Sequence, residues 1–164
     1  MNKLLNNLRI PFPEKDIEWR IQQTGMARGL PWGVVLAYVT NRAIMDRLDE
    51  VVGPENWTND FTQSPNGGVL CTLGVRIEDG WVYKTDGADN TEIERVKGGL
   101  SNAMKRAGVQ WGIGRYLYKL PRTFAIFGET GNKVKIDTEW YRWNPPKLEE
   151  EFLPPKTKTK KGDK

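Results

Sequence analysis

Three runs of alternating polar and apolar residues, at 57–63, 69–78 and 81–85, are separated by Pro65-Asn66-Gly67-Gly68 and by Asp79-Gly80. Alternation at period two places successive side chains on opposite faces of a strand. Asp-Gly between two such runs signals a hairpin, because both residues tolerate the positive φ that a two-residue turn needs. In the longest run Val69, Cys71, Leu73, Val75 and Ile77 share one face, while Thr72, Arg76 and Glu78 share the other. The chain is thus expected to form two antiparallel hairpins whose apolar face must be covered.

The next periodic stretch can supply that cover. A helix is expected from about Glu92 to beyond Arg106, with a continuation through Trp111 to Tyr118 left open. At 100° per residue Val96, Leu100, Ala103, Met104, Ala107 and Trp111 fall within about a third of its circumference, the apolar stripe of a helix lying on a core. Lys97, Ser101 and Lys105 are spaced four apart and form a polar ridge beside it. Arg106 points about 100° away from Lys105 and shares a flank with Arg95. Gly98-Gly99 costs about 1 kcal/mol per glycine in a helix interior, which suggests a close backbone approach there.

The rest of the chain is read around this unit. Residues 14–24 are expected to be helical, with acids in the first turn, Ile17 and Ile21 four apart and Gly25 as terminator; Arg20 lies on this segment. Gly29-Leu30-Pro31-Trp32-Gly33 reads as a loop and 34–39 as a buried strand. Thr40 caps a helix over 41–52, which Gly53-Pro54 stops. Beyond Pro121, residues 124–127 and 133–136 read as short strands around Gly128-Glu129-Thr130-Gly131, followed by the aromatic cluster Trp140-Tyr141-Arg142-Trp143. With 164 residues and 38% apolar content the chain can bury one core. The expected division is an N-terminal arm over 1–13, one domain over 14–144 and a flexible tail rich in Pro and Lys over 145–164.

Charge is segregated along the chain. From Thr91 to Arg122 the basic residues Arg95, Lys97, Lys105, Arg106, Arg115, Lys119 and Arg122 face two acids, Glu92 and Glu94, so this stretch is +5 in a chain of net charge +4. Clustered cations gain affinity for a polyanion by releasing its counterions. Aromatics such as Trp57, Trp81, Tyr83, Tyr116 and Tyr118 could stack on bases, although core packing is the commoner use of such residues.

Several chemistries are excluded or weakened. The chain has no histidine and a single cysteine, so it has no His-based acid/base relay, no internal disulfide and none of the usual Cys/His zinc sets. Cys71, in a strand, is expected to be a buried apolar side chain. Gly128 to Lys133 lacks the spacing and final hydroxyl of a P-loop. The acids Asp86, Asp89, Glu92 and Glu94 could hold a divalent metal for phosphodiester cleavage, but helix N-terminal and turn roles explain them more simply, and the Glu-x-Lys of one nuclease type is missing. No apolar run approaches the length of a membrane-crossing helix and no secretion signal is visible, so no membrane contact is expected and the expected location is the cytoplasm of a bacterium or a phage-infected host.

The stretch from Asn41 through Gly53 to Trp57, the Glu78-Asp79-Gly80 hairpin, and above all Gly99-Leu100-Ser101-Asn102-Ala103-Met104-Lys105-Arg106-Ala107 followed by Trp111-Gly112 resemble the Rad fifty-two-type single-strand annealing proteins, including the phage Sak group. The resemblance covers about residues 17–120. It implies an α+β fold, a twisted antiparallel β-sheet (β-β-β-α core) packed on a long helix, with subunits joined in a ring or helical assembly. It further implies a non-enzymatic, ATP-independent protein of DNA recombination and repair that binds single-stranded DNA and anneals complementary strands, without cofactor or metal. Arg20, Lys105 and Arg106 are then the leading candidates for backbone contacts, with Lys97 and Ser101 on the same helix and Arg115 in the cationic band. A lysine that serves a second DNA site in the family is replaced by Glu78 or Asp79, so a second site is either missing or built elsewhere. A single-strand-binding protein is a candidate further partner. The competing readings are a metal-dependent nuclease and a non-annealing RNA- or DNA-binding module.

Overall fold

The computed structural model describes residues 2–65, 67–89 and 95–155, with no side-chain description for residues 2 and 95–97. Two sequence expectations are matched closely. Helix α2 (Asn41–Val52) begins at Thr40, whose Oγ1 accepts the Ala43 N–H at 3.2 Å, and ends at Gly53 with φ of 87°. Strands β3 (Trp57–Gln63), β4 (Val69–Ile77) and β5 (Gly80–Ala88) form an antiparallel sheet in the order β3-β4-β5. Its second reversal is Glu78-Asp79 rather than Asp79-Gly80: Ile77 pairs with Gly80, and Glu78 carries the positive φ. Cys71, Leu73 and Val75 are fully buried, as their shared face requires.

Helix α3 (Arg95–Gln110) covers that face. Ala103, Met104, Ala107 and Trp111 are buried, and the Trp111 indole N–H donates to the Leu73 carbonyl at 3.1 Å, tying helix to sheet. The helix does not continue to Tyr118. Gly112 and Gly114 both adopt positive φ, which turns the chain into a short 3-10 helix at Arg115–Lys119. Glu92 and Glu94 lie outside the described residues, so nothing is added about acids in the first turn of α3.

Residues 14–24 are not a helix. A single 3-10 turn at Glu14–Asp16 leads into strand β1 (Ile17–Ala27), which pairs antiparallel with β2 (Leu30–Val39). Ile17, Trp19 and Ile21 alternate with Glu18, Arg20 and Gln22, and Arg28-Gly29, both with positive φ, close the hairpin. Gly29 to Gly33 is therefore mostly strand, not loop. Strand β6 (Thr123–Phe124) extends this sheet in the order β1-β2-β6. A third sheet joins β7 (Ile126–Gly128), β8 (Asn132–Ile136) and β9 (Glu139–Asn144) in the order β7-β9-β8, so the aromatic cluster is itself a strand.

Segments near each end of the described chain pack on the core. Helix α1 (Asn2–Leu8) lies against α2 and buries Leu8 completely. Buried Arg47 anchors it: Nη1 donates to the Ile10 carbonyl at 2.6 Å and Nη2 to Pro11 at 3.4 Å, and the guanidinium lies 4.0 Å from the Phe12 ring centroid. At the other end Leu148 is buried, and Phe152 and Leu153 pack against the core. The burial of these three side chains contributes about 1.5–3 kcal/mol each when complete, enough to fix a segment that its prolines alone would leave extended. The lysine cluster at 156–164 lies outside the described residues.

Candidate nucleic-acid interface

The β1-β2 hairpin builds one wall of the cleft. Arg20 on β1 and Lys105 and Arg106 on α3 come from opposite walls of a groove between the β1-β2 hairpin and the sheet-helix unit. Two adjoining cavities, of about 770 and 700 Å³, share Arg20, Tyr38, Lys105, Arg106 and Tyr118 in their linings. The larger adds Arg122 and no acid, and the smaller adds Asp89. The groove is therefore cationic, with Tyr118 72% exposed at its margin.

Lys105 and Arg106 play different parts. Lys105 is half-buried, with Nζ 4.4 Å from the centroid of the Tyr38 ring. Burial lowers its pKa below the ordinary lysine value, Glu18 partly opposes this by favouring the ammonium, and Arg20 adds to the lowering. Glu18 lies opposite Tyr38 across the hairpin, and burial together with that carboxylate pushes the Tyr38 phenol up to about 12. Arg106 stays 54% exposed but holds Asp86 through Nε at 3.0 Å. Burial works against the Asp86 carboxylate, yet hydrogen bonds from the Gly87 N–H, Gln110 and Arg106 hold its pKa below the usual value. The ion pair uses one edge of the guanidinium, and Arg106 still lines both cavities.

Arg115 and Ser101, also expected in the site, are not brought into this groove. The Arg115 guanidinium donates to the Val109 and Gln110 carbonyls at 2.7 and 2.6 Å, and Lys84 donates to Gln110 at 3.2 Å. Both cations thus cap the C-terminus of α3, where the macrodipole favours positive charge. Ser101 is half-buried one turn before Lys105 and lines neither cavity. The Lys97 side chain lies outside the described residues. The sequence reading did not single out Tyr38, and Arg122 figured only as one member of the basic band. Tyr38 carries no signal of its own in the sequence, because the spacing of Ile17 and Ile21 in its partner strand also suits a helix.

A cationic cleft thus lies between a hairpin and a β-β-β-α unit. Its groups can grip phosphates and stack rings. Residues 1–134 match the family described as Rad52/22 family double-strand break repair protein, and the chain belongs to that family. It is 32% identical over 152 residues to the single-stranded DNA-binding protein DdrA of Deinococcus radiodurans, a match covering 89% of this chain and 69% of the relative. Against the protein of the same name from Deinococcus deserti the identity is 30% over 154 residues, covering 89% and 72%. No helix among the described residues is long and apolar enough to cross a membrane.

Proposed function

We propose that this chain binds single-stranded DNA by its sugar-phosphate backbone in the Arg20-Lys105-Arg106 cleft and anneals complementary strands without ATP, in recombination and double-strand break repair. The observation that carries the reading is the convergence of three cations from β1 and α3 on one groove, in a chain whose relatives are single-stranded DNA-binding proteins. Phosphates held by Lys and Arg leave bases free to pair, so strands concentrated on the protein collide productively and zip. Copies standing side by side in a ring or helical assembly would join their clefts into one track, multiplying a weak contact through effective concentration. No bond is made or broken by the protein in this scheme. Lys97, whose side chain lies outside the described residues, is proposed to extend the track along α3.

The test mixes protein with one labelled strand, adds its complement and follows duplex formation with and without ATP and magnesium. Acceleration independent of both is expected. Shortened strands in magnesium would point to a nuclease, and binding without acceleration to a module that does not anneal. Of the four acids in the nuclease reading, Asp86 already holds Arg106.

A further inference from the structure

We infer that the outer face of the β7-β9-β8 sheet is a second contact surface for single-stranded nucleic acid, separate from the cleft. The argument starts from register. In an antiparallel pair, directly opposed residues point to the same face. Lys133 opposes Arg142, Lys135 opposes Trp140, and Gly128 also opposes Arg142. Lys133, Lys135, Trp140 and Arg142 therefore share one face. All four are exposed, Trp140 to 67%.

The opposite face is already occupied. Ile136 and Trp143 are buried, and Phe127 meets Tyr141 edge to face at 6.3 Å between ring centroids. This side packs toward the β1-β2 hairpin, through contacts of β8 with β1 and an approach of the Phe127 ring to Gly33. The only acid in the three strands, Glu139, opposes buried Ile136 and accepts the Tyr141 hydroxyl at 2.8 Å, so it lies on the inner side. At one border Arg142 donates to the Gly131 carbonyl and Asn144 to Thr130, which fixes the crossover against the face without neutralising the guanidinium. The outward positions thus carry three cations, an indole and no carboxylate.

That set of groups selects the ligand. Two copies meeting through this face would oppose cation to cation, whereas a polyanion complements it. Lys133 and Lys135 stand about 7 Å apart along the strand, near enough for both to reach phosphates of one nucleic-acid strand. Trp140, opposite Lys135 and two residues along the strand from Arg142, offers an open ring for a base, which a duplex cannot present without unstacking. Neither cavity of the cleft includes a residue of this sheet, and Lys135, Trp140 and Arg142 lie beyond the 134 residues matched to the family. The inference rests on the single-strand reading but not on the cleft residues.

Fluorescence anisotropy of labelled oligothymidine, titrated with the full chain at several salt concentrations, tests it. Lys133→Ala/Lys135→Ala is expected to lower the slope of log affinity against log salt by about 1.4, two phosphates at about 0.7 each. Trp140→Ala is expected to weaken binding about tenfold with the slope unchanged. Each variant is expected to melt as the parent does, since the side chains removed are exposed. Affinity and slope unchanged in both variants would overturn the inference and leave the cleft reading intact. Loss in both, with Lys105→Ala unchanged, would uphold this face and sink the cleft.

Discussion

Lys105→Ala separates a phosphate contact from a structural lysine. For a single strand each neutralised phosphate contributes about 0.7 to the salt slope, so one contact is worth about 0.7 log units times the logarithm of inverse salt concentration. That is about eightfold in affinity near 0.05 M salt and about threefold near 0.2 M. The variant should therefore lose affinity most at low salt, converging on the parent as salt rises. The structural cost should be small. The ammonium contact with Tyr38 stabilises the fold by about 0.5–2 kcal/mol, and the desolvation that lowers the lysine pKa offsets part of it. A net change below about 1 kcal/mol is a modest fraction of an ordinary domain's 5–15 kcal/mol. The assay is anisotropy titration at four salt concentrations, with a thermal melt for each variant and Arg115→Ala beside it. Arg115 caps α3, so its loss should cost about 1 kcal/mol of stability while leaving the salt slope unchanged. A salt-independent loss in Lys105→Ala, or a slope change in Arg115→Ala, would refute the assignment of Lys105 to the groove and of Arg115 to the helix end.

Three further outcomes follow from single side chains. Arg47→Ala strands the carbonyls of Ile10 and Pro11 and removes the ring contact with Phe12; a loss of about 3 kcal/mol is expected, read as a fall in Tm of about 6–12 °C, and an unchanged melt would show that the α1 junction holds without it. Asp86→Asn frees Arg106 and should raise single-strand affinity at low salt. Because the folded-state pKa of Asp86 lies below its ordinary 3.8, its stabilisation is present above that value and lost as pH falls through the lowered one, so parent and variant melts should differ at neutral pH, by at most about 1 kcal/mol, and converge in acid. Burial pushes the Cys71 thiol from 9.0 to about 11, so stability should decline as pH rises from 9 toward 11, and a thiol reagent should label the protein only in denaturant; rapid native labelling would contradict the burial.

What could be read from the sequence divides along a physical line. Helix α2 and strands β3 to β5 are set by local chemistry, a threonine cap and turns of Pro, Asn, Gly and Asp, and their positions were legible to within a residue or two except at the C-terminal end of β5, which runs three residues past the expected 85 to Ala88. Segment 17–27 was not, because a spacing of four residues is both one helical turn and two strand steps: Ile17 and Ile21 satisfy either. Trp19, midway between them, breaks the tie toward a strand, and the β2 partner that uses it lies beyond the Arg28-Gly29 turn. The packing of residues 4–8 and 148–153 was not legible for a related reason. Leu4, Leu5 and Leu8, like Leu148, Phe152 and Leu153, are too few to order a segment alone and become informative only against a core formed elsewhere.

The same division explains the site. Lys105 and Arg106 could be placed on α3 by periodicity, and Arg115 could not be told from them, because the carbonyls it caps are exposed by glycines that end the helix earlier than the apolar stripe suggests. Which cations share a groove is decided by the hairpin, a tertiary fact. Arg20 lies 85 positions from Lys105 and reaches the same cleft only because β1 and β2 fold back across α3. Shortening that hairpin at its Arg28-Gly29 tip should leave the wall at Arg20 and Tyr38 in place, whereas breaking the pairing at Glu18 and Tyr38 should unseat Lys105 and lower single-strand affinity together with stability. The grip on a phosphate chain is thus a property of how two elements meet, and a basic helix by itself would supply only half of it.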